Sequence, residues 1–252
     1  MSRVLPRTNF HSSKLIRCLA DLAMVDPGEA GNAFAEKLGS WVHFADAIAL
    51  SGVHDGMPRG SPDLWPTVAV AGLAARVEFD RTQTGLIDAI VKSCLPNAGK
   101  PDMKLRMPTS EAPIDRGAYV AYRRFYETHQ RDMELTIASL RVKVRNALGR
   151  SSRDLKQLAD LDAAFEKILR ERESKLLAKV PVLLGKRFEK LYSAHQQKLA
   201  DAQQTDDPAG WTQAGGWLAR FCNDMQVLLL AELELRLQPT MGLVEAFTQE
   251  TP

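Results

Sequence analysis

Between Arg116 and Leu148 the chain carries no proline and a single glycine, Gly117. Over the same stretch Tyr119, Tyr122, Tyr126, Met133, Ile137, Leu140, Val144 and Leu148 recur mostly three or four residues apart. A strand would show its apolar residues at alternate positions, so this spacing predicts one continuous α-helix. Such a helix is about 50 Å long at 1.5 Å per residue. It has one apolar face, and that face stays dry only against other helices of comparable length.

The rest of the chain supplies them. Leu155, Leu158, Leu161, Phe165, Ile168, Leu169 and Leu176 predict a helix over 153–179, with Gly149 stopping the one before and Ser151 or Ser152 capping the start. Pro181 ends or kinks it. Further helices are expected over 183–203 and 217–237, with a turn region at 206–216. Pro239 is expected to end the last of them and leave 239–252 as a flexible tail. Upstream, helices are expected from Ser12 or Ser13 to Met24, from Glu29 to Leu50, and from Pro66 onward. Residues 79–85 either continue or break this third helix before Leu86–Leu95. Residues 53–65 read as a loop, and Pro96, Pro101, Pro108 and Pro113 mark 96–115 as a linker. The expected fold is all-α: long antiparallel helical hairpins forming a bundle over 116–238, preceded by an N-terminal helical subdomain, 1–95.

At 45% hydrophobic residues the chain can bury a sizeable core. No run of about 18 apolar residues exists, which argues against a membrane-spanning helix. Cys18, Cys94 and Cys222 are odd in number, and none forms a C-x-x-C pair. The first residues lack the apolar core of a signal peptide, so the expected compartment is a reducing cytoplasm.

Net charge is only +2, but it is unevenly placed. Residues 116–200 hold 19 Lys/Arg against 10 Asp/Glu, and 201–252 hold 2 against 8. The basic middle gives the candidate binding residues: Arg123, Arg124, Arg141, Lys143, Arg145, Arg150, Arg153, Lys186, Arg187 and Lys190. Cations gathered on a helical hairpin can neutralise phosphates, which implies salt-dependent, sequence-independent contact with DNA. The competing reading is a solvated face whose charges pair locally or with the acidic C-terminal helix. Arg123 and Arg124 also sit among Tyr119, Tyr122, Phe125 and Tyr126, which could stack on bases; a core stripe with polar tips is the preferred reading.

No catalytic constellation emerges. The histidines show no strong zinc spacing, and His43 with Asp46 reads as a partly buried polar pair. Gly99-Lys100 and Gly185-Lys186 lack the upstream glycine and following Ser or Thr of a phosphate-binding loop. No cofactor or metal is implied, and a non-enzymatic role is expected. The long hairpin also offers a self-complementary apolar edge, which points to a homodimer.

Four stretches carry a resemblance: RTNFHSSKLIRCLADLA (7–23), FAEKLGSWVHFADAIALS (34–51), YVAYRRFYETHQRDMELTIASLRVKVRNAL (119–148) and LAKVPVLLGKRFEKLYSAH (177–195). Together they resemble a proteobacterial domain-of-unknown-function family, number three-three-four-eight. That resemblance implies an accessory cytoplasmic protein of type III Zorya anti-phage defence systems. Its implied partners are a second accessory protein and a stator-like, ion-driven membrane motor. It carries no functional residue over to this chain.

Overall fold

The computed structural model describes residues 13–22, 24, 65–94 and 118–249. The expected helix over Glu29–Leu50, the 96–115 linker, the His43/Asp46 pair and the loop over 53–65 except its last residue, Trp65, which opens a helix, lie outside the described residues. Among the described residues every regular element is a helix: α1 (Lys14–Asp21), α2 (Trp65–Cys94), α3 (Tyr119–Ser151), α4 (Arg153–Leu177), α5 (Lys179–Ala202), α6 (Pro208–Trp211) and α7 (Trp217–Gln249). The architecture is an all-α bundle.

α3 is the helix that its apolar spacing demands, and all eight residues of the stripe except the half-buried Tyr119 are buried. It runs through Gly149, contrary to expectation, and ends two residues later. A single glycine inside a long helix costs only about 1 kcal/mol, and Leu148 and Ser151 are buried on either side of it. The chain turns at Ser152, whose extended backbone and side chain cap α4 by accepting the Leu155 N–H at 3.1 Å. α4 then runs back along α3.

α4 and α5 are separated by Ala178 alone. The helix expected over 153–179 ends at Leu177, and Pro181 stands in the first turn of α5. The missing N–H of Pro181 orphans the carbonyl of Leu177, four residues earlier. Gln130 Nε2 on α3 fills that vacancy, donating to Leu177 O at 3.1 Å. Tyr119 OH donates to the Pro181 carbonyl. α5 therefore continues along α3, close enough that Gly185 meets the Tyr119 ring, where a Cβ would lie 2.9 Å from it.

α7 is the central helix. Leu218, Phe221, Met225, Leu228, Leu229 and Ala231 are fully buried. It lies parallel to α3 and antiparallel to α5, with Tyr122 against Phe221 (5.4 Å between ring centres) and Arg187 against Asp224. Pro239 does not end it. Leu243, Val244 and Phe247 beyond the proline are buried. Their burial, at roughly 1.5–3 kcal/mol each, outweighs the roughly 3 kcal/mol of an interior proline. The expected tail is thus helical as far as Gln249.

α2 is unbroken across 79–85, because Phe79, Leu86 and Ile90 keep one buried face through it. It packs antiparallel to both α3 and α7. The described N-terminal helices α1 and α2 share one hydrophobic core with the C-terminal half. The approach of α2 to α7 requires Gly72, where a Cβ would sit 2.7 Å from Phe247 Cβ. Gly72→Val should therefore destabilise the protein by about 2 kcal/mol through overpacking. Gly85 has nothing within 4 Å of a built Cβ, so Gly85→Ala should stabilise by about 0.5–1 kcal/mol. Denaturant unfolding of the two variants checks both signs.

Candidate functional site

The ten basic residues separate into three groups. Arg141 and Arg145, four apart on α3, both point at Asp162 on α4. Arg141 Nε donates to Asp162 Oδ2 at 2.8 Å, Arg145 Nε to the same oxygen at 2.6 Å, and Arg145 Nη1 meets Glu166 Oε2 at 2.7 Å. The two arginines are only 14% and 13% exposed. Arg187 is buried on α5 and pairs with buried Asp224 on α7 at 2.9 Å. These three guanidinium groups are committed to the fold, and freeing one for a phosphate would strand a half-buried or buried carboxylate.

Arg123 and Lys143 form exposed pairs. Arg123 holds Glu127 one turn on at 2.7 Å, and Lys143 reaches Glu78 on α2 at 2.8 Å. Lys143, with Arg81, holds the Glu78 carboxyl below its ordinary range. The remaining five, Arg124, Arg150, Arg153, Lys186 and Lys190, are exposed. The hairpin is therefore not one basic surface: its most buried arginines are its internal fastening.

Both forms of the competing reading occur: Arg187 meets the acidic C-terminal helix, and Arg141 and Arg145 are answered from within their own hairpin. The signal was available in the turn. Reflecting Arg141 and Arg145 across Ser152 lands on positions 163 and 159, which bracket Asp162.

The aromatic residues near Arg123 are core. Tyr122, Phe125 and Tyr126 are buried, and Tyr119 and Tyr122 pack on Phe188 and Phe221 at 5.4–6.3 Å between ring centres. Neither arginine is drawn into that cluster.

A polar cluster missed at the sequence level lies in the bundle centre. Glu232 on α7 is fully buried. It accepts from Tyr126 OH at 2.9 Å, from Gln130 Nε2 at 3.0 Å, and from Arg236 Nε at 2.9 Å. Burial, and then the Glu232 charge, hold the Tyr126 phenol well above its ordinary value, so it stays a donor. Beside this cluster α3, α4 and α7 enclose a cleft of about 60 Å³, lined by Glu134, Arg141, Glu166, Arg170, Glu173 and Arg236 among others. That is space on the scale of water molecules. A wider, open groove of about 340 Å³ runs between α2 and α3 beside Glu78, Thr82, Leu135 and Lys143.

Several other reactive groups among the described residues are engaged or partly buried. Ser93 Oγ donates to the Ile90 carbonyl and accepts from His129 Nε2 at 2.8 Å, both side chains being buried. Burial pushes the Cys94 thiol up to about 11 and that of Cys222 up to about 12, which makes them poor nucleophiles. His195, Gln196 and Trp211 all bond Asp206 and close the connection from α5 to α7. Among the described residues no group of three or more His, Cys, Asp or Glu is placed to hold a metal ion. No helix among them is long and apolar enough to cross a membrane.

A family model described as "Protein of unknown function (DUF3348)" matches residues 1–249. The chain belongs to the DUF3348 family. No curated protein and no solved structure matches it. Within this DUF3348 protein, the fastening residues and the exposed cations can be separated by experiment.

Asp162→Ala leaves two largely buried guanidinium groups without their shared partner and should cost about 3 kcal/mol, read from the urea midpoint. His129 gives a pH signature. Burial lowers its pKa in the folded state, so the unfolded chain takes up the proton first. The stability tied to neutral His129 is fully present above about pH 6.5 and is lost as pH falls below that value. His129→Gln, which keeps a donor for Ser93, should flatten that part of the stability profile; an unchanged slope between about pH 6.5 and 5 would refute the assignment.

Proposed function

We propose that this protein is a non-enzymatic component of a bacterial anti-phage defence system of the type III Zorya kind, in which it acts as a helical adaptor. The setting is supported by the family resemblance of residues 7–23, 34–51, 119–148 and 177–195. The mode of action is supported by one observation above all: Arg141, Arg145 and Arg187 are spent on internal ion pairs. They stiffen four long helices into a strut, and what the strut offers outward is the faces of its helices. α2 presents Val70, Leu73 and Val77 outward, 59–70% exposed, at positions i, i+3 and i+7. Such a stripe suits helix packing against a partner. The proposed partners are the cytoplasmic tail of a stator-like membrane motor and a second accessory protein.

Co-purification tests this reading. Wild type should retain the motor complex or the second accessory protein, and Leu73→Asp with Val77→Asp should lose it while keeping its helical circular dichroism. Failure of wild type to retain either partner would sink the adaptor. Metal-dependent cleavage of plasmid DNA by the pure protein, abolished by one carboxylate substitution, would replace it with a nuclease.

DNA binding is the second reading, and the exposure of Arg124, Arg150, Lys186 and Lys190 favours it. It predicts duplex binding that falls steeply with salt and is weakened by reversing Arg150, Lys186 and Lys190 to Glu. Arg141 and Arg145 are the wrong residues to reverse, because their loss unfastens the hairpin.

A further inference from the structure

The acid-free stretch across the α4–α5 junction has a chemistry of its own. Between Glu173 and Glu189 every charged residue is positive: Lys175, Lys179, Lys186 and Arg187. Arg187 turns inward to Asp224. The other three are exposed, as are Glu189 and Lys190 just beyond, so the face keeps an excess of positive charge with one acid at its far end. Lys175, Lys179, Val182, Lys186 and Lys190 succeed one another by four, three, four and four residues, which sets them along one helical face about 22 Å long. Leu176 and Val182 stand out from the same surface, 50% and 52% exposed. The opposite side is pinned down: Leu177, Val180 and Pro181 are buried, and Gln130 and Tyr119 bond the Leu177 and Pro181 carbonyls.

We propose that this outer face of the α4–α5 junction docks on an anionic phospholipid surface, at headgroup level and without spanning. The lysines supply charge complementary to lipid phosphates, and their long stems let the ammonium groups reach them. Leu176 and Val182 supply what a nucleic acid has no use for: aliphatic groups that gain by entering the boundary between headgroups and acyl chains. The face is a ridge on the outside of the α4–α5 rod. It sets only two aliphatic side chains, Leu176 and Val182, among its lysines, too little apolar surface to hold a partner helix. A fluid surface accommodates a ridge. The Lys175–Glu171 pair does not cancel the charge, since both side chains are more than 70% exposed and the pair is weak. This inference is independent of the adaptor reading.

The test is vesicle flotation with the full chain. Wild type should float with phosphatidylcholine–phosphatidylglycerol vesicles and not with phosphatidylcholine alone, and added salt should weaken the association. Each lysine lost from the face should weaken partitioning roughly five-fold, so Lys179→Glu with Lys186→Glu abolishes it. Leu176→Ser with Val182→Ser should remove the part that survives high salt. All four positions are exposed, and unchanged circular dichroism and melting temperature confirm that the variants fold. Absence of flotation by wild type on anionic vesicles at low salt overturns the proposal. So does a serine variant that floats as well as wild type, because the face would then be a general polyanion surface.

Discussion

A carboxylate with no access to water organises this bundle. Ionised Glu232 in a helical core would cost several kcal/mol if left alone, so every helix that can reach it must bring a donor. α3 brings Tyr126 and Gln130, and α7 brings Arg236 from one turn on. Gln130 also serves the Leu177 carbonyl that Pro181 orphans. One amide thus ties the core of α7 to the junction between α4 and α5. The register of three long helices is fixed at this point by hydrogen-bond satisfaction, which apolar packing alone does not specify. The cluster has no substrate-sized space beside it, and its geometry answers to folding.

Ion pairs extend the same logic outward. Asp162 takes both Arg141 and Arg145, which locks the α3–α4 hairpin along its length. Arg187 and Asp224 lock α5 to α7. The positive charge that dominates 116–200 therefore has two fates. Arg141, Arg145 and Arg187, whose planar forks match a carboxylate, are used inside. Arg124 and Arg150 on α3, and Lys179, Lys186 and Lys190 on α5, are left at the surface.

The helices were legible in the sequence because apolar periodicity sustained over 16 to 30 residues admits few alternatives. Tyr119 to Leu148 and Leu218 to Leu233 read directly as buried faces. Stop signals were less reliable. Gly149 and Pro239 are local breakers that lose to the burial of Leu148 and Ser151 and of Leu243, Val244 and Phe247, because a local propensity of about 1–3 kcal/mol competes with several buried side chains. Of the basic set, the residues themselves could be named from sequence, but their partners could not. Charge counting does not say which face a guanidinium lies on, and Arg187 beside Lys186 makes the point: adjacent in sequence, one is buried and the other exposed. The burial of Glu232 could not be read, because a buried acid looks like any other acid until its three donors are assembled from separate turns.

The central helix has a further consequence for biosynthesis. α7 follows every other described helix in the chain, yet it pairs with α3, about a hundred positions earlier, and with α2, further back still. Until α7 emerges from the ribosome, Gly72, Tyr122, Tyr126 and Arg187 lack Phe247, Phe221, Glu232 and Asp224, the α7 residues they meet in the finished fold. A nascent chain with α2 through α5 already helical thus displays a long apolar trough, the kind of surface that holdase chaperones occupy and that seeds co-translational aggregation. Slow translation upstream of Trp217 would lengthen that exposure, and a truncation before Phe247 would leave the Gly72 side of the trough open for good.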